Sequence, residues 1–146
     1  MSCFRLFSLA FFLAASLGHA ASTQIAPNQP IVNFRLPDFT PEGYRSWLVR
    51  GSEARYLQDG VVNITGLNLT IFNGQADGKV ETLILSPAAT VRPGEQVVRG
   101  SDTIRVINDH FEATGSNWSY AHKDKKVSIG KNVRVILHTQ LNSILQ

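Results

Sequence analysis

From Trp47 to Leu141 apolar and polar side chains alternate with a period of two, interrupted by turns, and no stretch carries a helical stripe. A two-residue period puts alternate side chains on opposite faces of a strand, so the pattern predicts a mostly β domain with one oily face. Val62-Asn-Ile64 and Leu67-Asn-Leu69-Thr-Ile71 carry it, as do Ile104-Arg-Val106, Val127-Ser-Ile129 and Val133-Arg-Val135-Ile-Leu137. Strands are expected at about 44–57, 61–73, 79–86, 96–107, 110–121 and 125–139, the longer ones bending or splitting. Between them stand turn formers: Gln58-Asp-Gly60, Asn73-Gly74 with Asp77-Gly78, Pro93-Gly94, Asn108-Asp109 and His122-Lys-Asp124. Links this short favour hairpins, and hence an antiparallel meander without crossover helices.

Upstream the pattern changes. Pro27, Pro30, Pro37 and Pro41 crowd together, each fixing a backbone angle and removing a hydrogen-bond donor. Residues 21–43 therefore read as an extended arm ahead of a domain at 44–141. Phe34, Leu36 and Phe39 give the arm apolar surface to lay against that domain, and Ala21 to about Gln29 is expected to be disordered. Residues 1–20 have the layout of a cleavable secretory signal: Arg5, the apolar run Leu6 to Leu17, then Gly18-His19-Ala20. A membrane anchor is the competing reading, but the run is about 12 residues where spanning a bilayer takes roughly 20.

An exported chain changes the chemistry open to it. Cys3 is the single cysteine and would leave with the signal, which removes disulfides and thiol nucleophiles. Losing Arg5 from 14 basic residues leaves 13 against 11 acidic ones, a mild balance with no large basic cluster, so nucleic acid is not an expected partner. The remaining length suits one domain with its own core.

A short pattern recurs. Val49-Arg-Gly-Ser-Glu53 returns as Val98-Arg-Gly-Ser-Asp102, and Gly115-Ser-Asn-Trp-Ser-Tyr120 aligns with Gly51-Ser-Glu-Ala-Arg-Tyr56. Chance likeness among short β segments is one explanation. The other is a stack of similar strand pairs, with glycines marking the bends by which a sheet curls.

Catalytic motifs are missing. There is no Gly-x-Ser-x-Gly elbow, and Ser52, Ser101 and Ser116 lie within alternating runs, not at a strand-to-helix turn. His110, His122 and His138 form no short ligand pattern; His110 and His122 read as turn residues and His138 as a strand end. The acidic residues are scattered singly, with no calcium loop. No enzyme, metal or cofactor is expected. Asn63-Ile-Thr65, Asn68-Leu-Thr70 and Asn117-Trp-Ser119 fit an N-glycosylation pattern that strands rich in Asn and Thr produce by accident. The aromatics Trp47, Trp118, Tyr56, Tyr120, Phe72 and Phe111 suit either a solid core or the lining of an apolar tunnel.

Phe34-Arg-Leu-Pro-Asp-Phe39, Gly43-Tyr-Arg-Ser-Trp-Leu-Val-Arg-Gly51 and Ala54-Arg-Tyr56 resemble the start of the periplasmic domain of LptC-type lipopolysaccharide-export proteins. Phe111-Glu-Ala-Thr-Gly115, Trp118-Ser-Tyr120, Lys126-Val-Ser-Ile129 and Asn132-Val-Arg-Val135 are similar to the repeat of the wider OstA-like group, which includes LptA. The resemblance spans about residues 34 to 138 and implies an all-β, open OstA-like jellyroll in the periplasm. It also implies an apolar interior that holds lipopolysaccharide acyl chains, and open edges that join other Lpt-type jellyrolls, or further copies, strand to strand. LptC-type proteins generally keep an N-terminal membrane helix, whereas Leu6 to Leu17 looks cleavable, so an LptC-like and a soluble LptA-like role both stay open.

Moving a lipid through water exposes its chains at about 0.8 kcal/mol per methylene, so ten exposed methylenes cost roughly 8 kcal/mol and a carrier must hide them. The residues expected to face inward and line the slot are Leu48, Ile64, Leu69, Ile71, Leu85, Ile104, Val106, Phe111, Trp118, Ile129, Val133 and Val135. Arg50, Arg99 and Arg134 could meet lipid phosphates at its rim. Other readings are a secreted β-sandwich binding glycan or protein, with an exposed aromatic platform, and a purely structural envelope module.

Overall fold

The computed structural model describes residues 28–138. The expected signal, and the arm up to Pro27, lie outside them. Eight antiparallel strands follow one another: β1 (Pro30–Phe39), β2 (Arg45–Tyr56), β3 (Val62–Phe72), β4 (Val80–Arg92), β5 (Val97–Gly100), β6 (Ile104–Asn108), β7 (Phe111–Ala121) and β8 (Lys126–Leu137). Single 3-10 turns at Gln58–Gly60 and Pro93–Glu95 sit where turn formers were read. Asn108 closes another turn by accepting from the backbone N–H groups of His110 and Phe111, both at 2.9 Å.

Three features depart from the sequence reading. The strand expected at 79–86 does not stop there: β4 continues through Pro87 to Arg92. Pro30–Phe39, read as part of an arm, is a strand paired along its length with β2. An edge strand tolerates proline because only one side of it enters a ladder. The run read as 96–107 is two strands, β5 and β6, which share one place in the sheet: both pair with β4 on one side and with β7 on the other. The order is thus β1-β2-β3-β4-(β5 then β6)-β7-β8, with β1 and β8 at the edges.

Inward-facing positions along the strands are two apart, as they should be, except at one level where they are three apart. The pairs are Ile31 and Phe34, Gly51 and Ala54, Ile64 and Leu67, Ser86 and Ala89, and Gly115 and Trp118. One extra residue turns the chain without losing the face it presents. Asn33, Gly66, Asn117 and Asn132 have positive φ at this level, Pro87 stands there in β4, and the break between β5 and β6 falls there too. The result is a crease running across the whole sheet. The Gly-Ser echo marks it: Gly51-Ser52, Gly100-Ser101 and Gly115-Ser116 each lie where a strand crosses the crease. A Cβ on Gly51 would overlap Ile64, one on Gly115 would overlap Ile129, and one on Gly100 would come within 2.6 Å of the Trp118 ring nitrogen.

Folding at the crease brings distant strands together. His122, just beyond β7, stacks on Trp47 of β2; Gln96 donates to Asp38 of β1 at 3.0 Å; Lys125 meets Glu81 of β4 at 2.8 Å. The core lies inside this roll.

Candidate functional site

Ladder partners in an antiparallel sheet point to the same face, so the register defines rows of side chains. One inner row runs Tyr56, Val62, Val91, Val98, Tyr120, Val127 on one side of the crease. On the other side the row starts at Leu36 and passes through Val49, Leu69, Ile84, Val106 and Ala113 before ending on Val135. Val49, Leu69 and Ile84 have no exposed surface, but Val135 is 52% exposed, with Val133 and Leu137 beside it at 54% and 65%. The inner face is therefore solid in its middle and uncovered along the second half of β8.

The expected slot residues divide accordingly. Ile64, Leu69, Ile71, Ile104, Val106 and Trp118 are buried in the core, and Phe111 and Ile129 pack against it half-buried. Val133 and Val135 form the open margin. Leu48 and Leu85 are corrected: they point to the outer face, because their ladder partners Pro37, Thr70, Asn68 and Arg105 lie between the inward positions. Each stands in a run of three apolar residues, where a period of two cannot choose the face. In β2 the interior takes the flanking Trp47 and Val49, and in β4 it takes Ile84.

The outer face next to the crease carries a row invisible in the sequence. Arg35 faces Arg50, Arg50 faces Asn68, and Asn68 faces Leu85. Leu85 faces Arg105, Arg105 faces Thr114, and Thr114 faces Arg134. Of the expected rim arginines, Arg50 and Arg134 thus belong to one row, on the outside. Arg99 stands across the crease, between Thr90 and Ser119. Cavities of about 760 and 170 Å³ lie on this face and meet at Gly66 and Asn68.

His122 stands in the turn after β7, as the sequence predicts; what sequence reasoning did not show is its burial. It bridges Ser46 of β2 through Nε2 and the Tyr120 hydroxyl through Nδ1, the latter at 2.8 Å. Burial is the main cause that lowers its pKa; Lys125 lowers it as well, while Asp38 opposes both. Burial likewise pushes the Tyr120 hydroxyl up. Because Nδ1 is taken by a phenol and not by a carboxylate, the Ser46–His122 contact lacks the orienting acid of a nucleophilic triad and serves as a clamp between β2 and β7. The signal that could have found it is the Tyr120-x-His122 spacing, which puts both on the inner face. Among the described residues no cluster of His, Cys, Asp or Glu is placed to hold a metal, and no helix is long and apolar enough to cross a membrane.

No curated protein matches the chain. The sequence model of the LptC family, lipopolysaccharide-assembly, LptC-related, matches residues 18–138, and the chain, an antiparallel β roll with one apolar margin left open, belongs to that family.

Proposed function

We propose that this lipopolysaccharide-transport component works through its β8 margin, where it both shelters acyl chains and receives the edge strand of a neighbouring jellyroll. The observation that carries the reading is the inner row that stays apolar to its last member while losing its cover: Val133, Val135 and Leu137 are each more than half exposed. Three apolar side chains in a line at a strand edge are a hazard to an isolated protein. They suit a strand that is covered in use. Hydrocarbon laid along them continues the existing core, and the main chain of β8, paired among the described residues only with β7, offers its other edge to another strand.

Deeper entry requires the roll to loosen, because the interior is filled in its middle. Acyl chains start at Val133 and Val135 and advance towards Ile129 and Phe111, which are already half-buried. Membership of the LptC family supports a periplasmic setting, associated with the inner membrane, for this work. The test is photo-crosslinking in cells from Val135, Ile129 and, as an outer-face control, Thr90. Lipopolysaccharide adducts at Val135 and Ile129 but not at Thr90 are expected; equal capture at all three, or none, overturns the acyl shelter. Deleting 133–146 should abolish capture of a partner jellyroll, and persistence of that capture overturns the edge assignment.

A further inference from the structure

We propose that the outer face beside the crease is a second binding site, one that takes a phosphate-bearing amphiphile with a polyol head. It goes beyond the acyl shelter, since it uses the opposite face of the sheet and none of the inner rows.

The first observation is charge. Arg35 and Arg50 are direct ladder partners, and like charges in that position destabilise a sheet. The Arg50 Nε is buried without a hydrogen-bond partner, which is costly for a charged group in a protein of marginal stability. Arg105 and Arg134 complete the row. Of these four, Arg105 holds Glu112 in a two-pronged pair at 2.6 and 3.2 Å; Arg35, Arg50 and Arg134 have no salt bridge among the described residues. A phosphate, like a carboxylate, accepts two hydrogen bonds at once from a planar guanidinium fork, and one bound at Arg35 and Arg50 would relieve both the repulsion and the orphaned donor.

The second observation is what flanks the arginines. Towards the strand ends the next outer row carries Leu48, Leu83, Ile107 and Ile136 on β2, β4, β6 and β8, interrupted by Thr70 on β3 and by Glu112 on β7, whose charge Arg105 holds. Towards the crease stand Thr103, Ser116 and Asn132, with hydroxyl and amide groups lining the 760 Å³ cavity. From one side to the other the face therefore reads hydrocarbon contact, phosphate contact, polyol contact. That is the order of groups along a glycerophospholipid with a glycerol head. A free phosphate would use the middle band alone.

The experiment titrates the full folded chain with three soluble probes below micelle formation, followed by amide chemical shifts: dihexanoyl phosphatidylglycerol, dihexanoyl phosphatidylcholine and inorganic phosphate. Phosphatidylglycerol is expected to bind at least about tenfold more tightly than inorganic phosphate, shifting Leu83, Leu85 and Thr114 and sparing Val49 and Val98. R134Q, which alters an exposed arginine at the β8 end of the arginine row, the end beside Thr103, Ser116 and Asn132, should weaken it by about tenfold, and raising the salt should weaken it further. Equal affinity for inorganic phosphate, equal affinity for phosphatidylcholine, or shifts confined to the inner rows overturns the site, as does no binding. The wild-type shift map decides even if the variant is unstable. Crosslinks at Val135 report separately on the inner face, so either reading can fail while the other stands.

Discussion

His122 stacks on Trp47 with ring centroids 4.9 Å apart and planes 18° from parallel, joining the end of β7 to the start of β2 across the roll. Tyr120 leans on both rings, at 6.3 Å from Trp47 and 5.8 Å from His122. This trio, with the Ser46 hydroxyl, helps to hold one half of the sheet over the other at that end, beside the Gln96–Asp38 and Lys125–Glu81 contacts. In its neutral form the imidazole has one donor and one acceptor, and two hydroxyls satisfy both whichever nitrogen carries the proton.

The clamp should weaken in mild acid. Burial lowers the His122 pKa below its unfolded value of 6.5, with Lys125 adding to that and Asp38 opposing it. The unfolded chain then takes up the proton first, so stability is complete above pH 6.5 and falls as the pH drops through the folded value. Urea unfolding at pH 7.5 and pH 5.0 is expected to show a lower midpoint at pH 5.0. H122Q should be less stable at pH 7.5 and show a smaller difference between the two. An equal drop in H122Q would assign the effect elsewhere.

The crease predicts sharply unequal costs for one substitution at different glycines. Gly51→Ala and Gly115→Ala drive a methyl group into Ile64 and Ile129, with backbone oxygens of Thr65 and Lys131 also close; each should cost about 1–3 kcal/mol as an overpacked site. Gly94→Ala meets nothing within 4 Å and should stay within about 0.5 kcal/mol of the parent. Thermal or urea unfolding of the three proteins checks the order, and similar losses at all three would mean that the crease is not tightly packed.

Much of this architecture can be read from the chain. Strand positions and turns follow from alternation and from residues such as Asn108 and Gly60, because local chemistry determines both. What failed needed the third dimension. β1 was hidden by Pro30 and Pro37, which are acceptable only because the strand is an edge. Leu48 and Leu85 could not be assigned a face inside three-residue apolar runs. The arginine row is assembled by register from four strands, so Arg35 and Arg134 share a band though no local motif links them. The Gly-Ser echo was visible, but its meaning, a common level at which strands turn, required the sheet.

Facing can be tested on two adjacent residues. Ile84 is fully buried on the inner row, and Leu83 is partly exposed on the outer one. Ile84→Ala should cost about 2–5 kcal/mol through lost burial and the cavity left behind. Leu83→Ala should cost clearly less, because the surface it vacates is open to water. Equal losses would mean that the outer face is as densely packed as the inner.

The β8 margin makes the last prediction. Val135 belongs to the same inner row as Ile84 and Val106 but stands half outside. Val135→Lys should therefore leave the fold within about 0.5 kcal/mol of the parent, as a substitution at a solvated position does. Its effect falls on whatever covers β8. A lysine there places charge where hydrocarbon would lie and blunts the strand against pairing. Lipopolysaccharide retained through purification, measured by native mass spectrometry, should drop, and so should association with a second jellyroll in sedimentation. Gly94→Ala, remote from that margin, should change neither. Retention and association both unaltered in a folded Val135→Lys protein would show that the exposed half of β8 is bare surface and that the working face lies elsewhere.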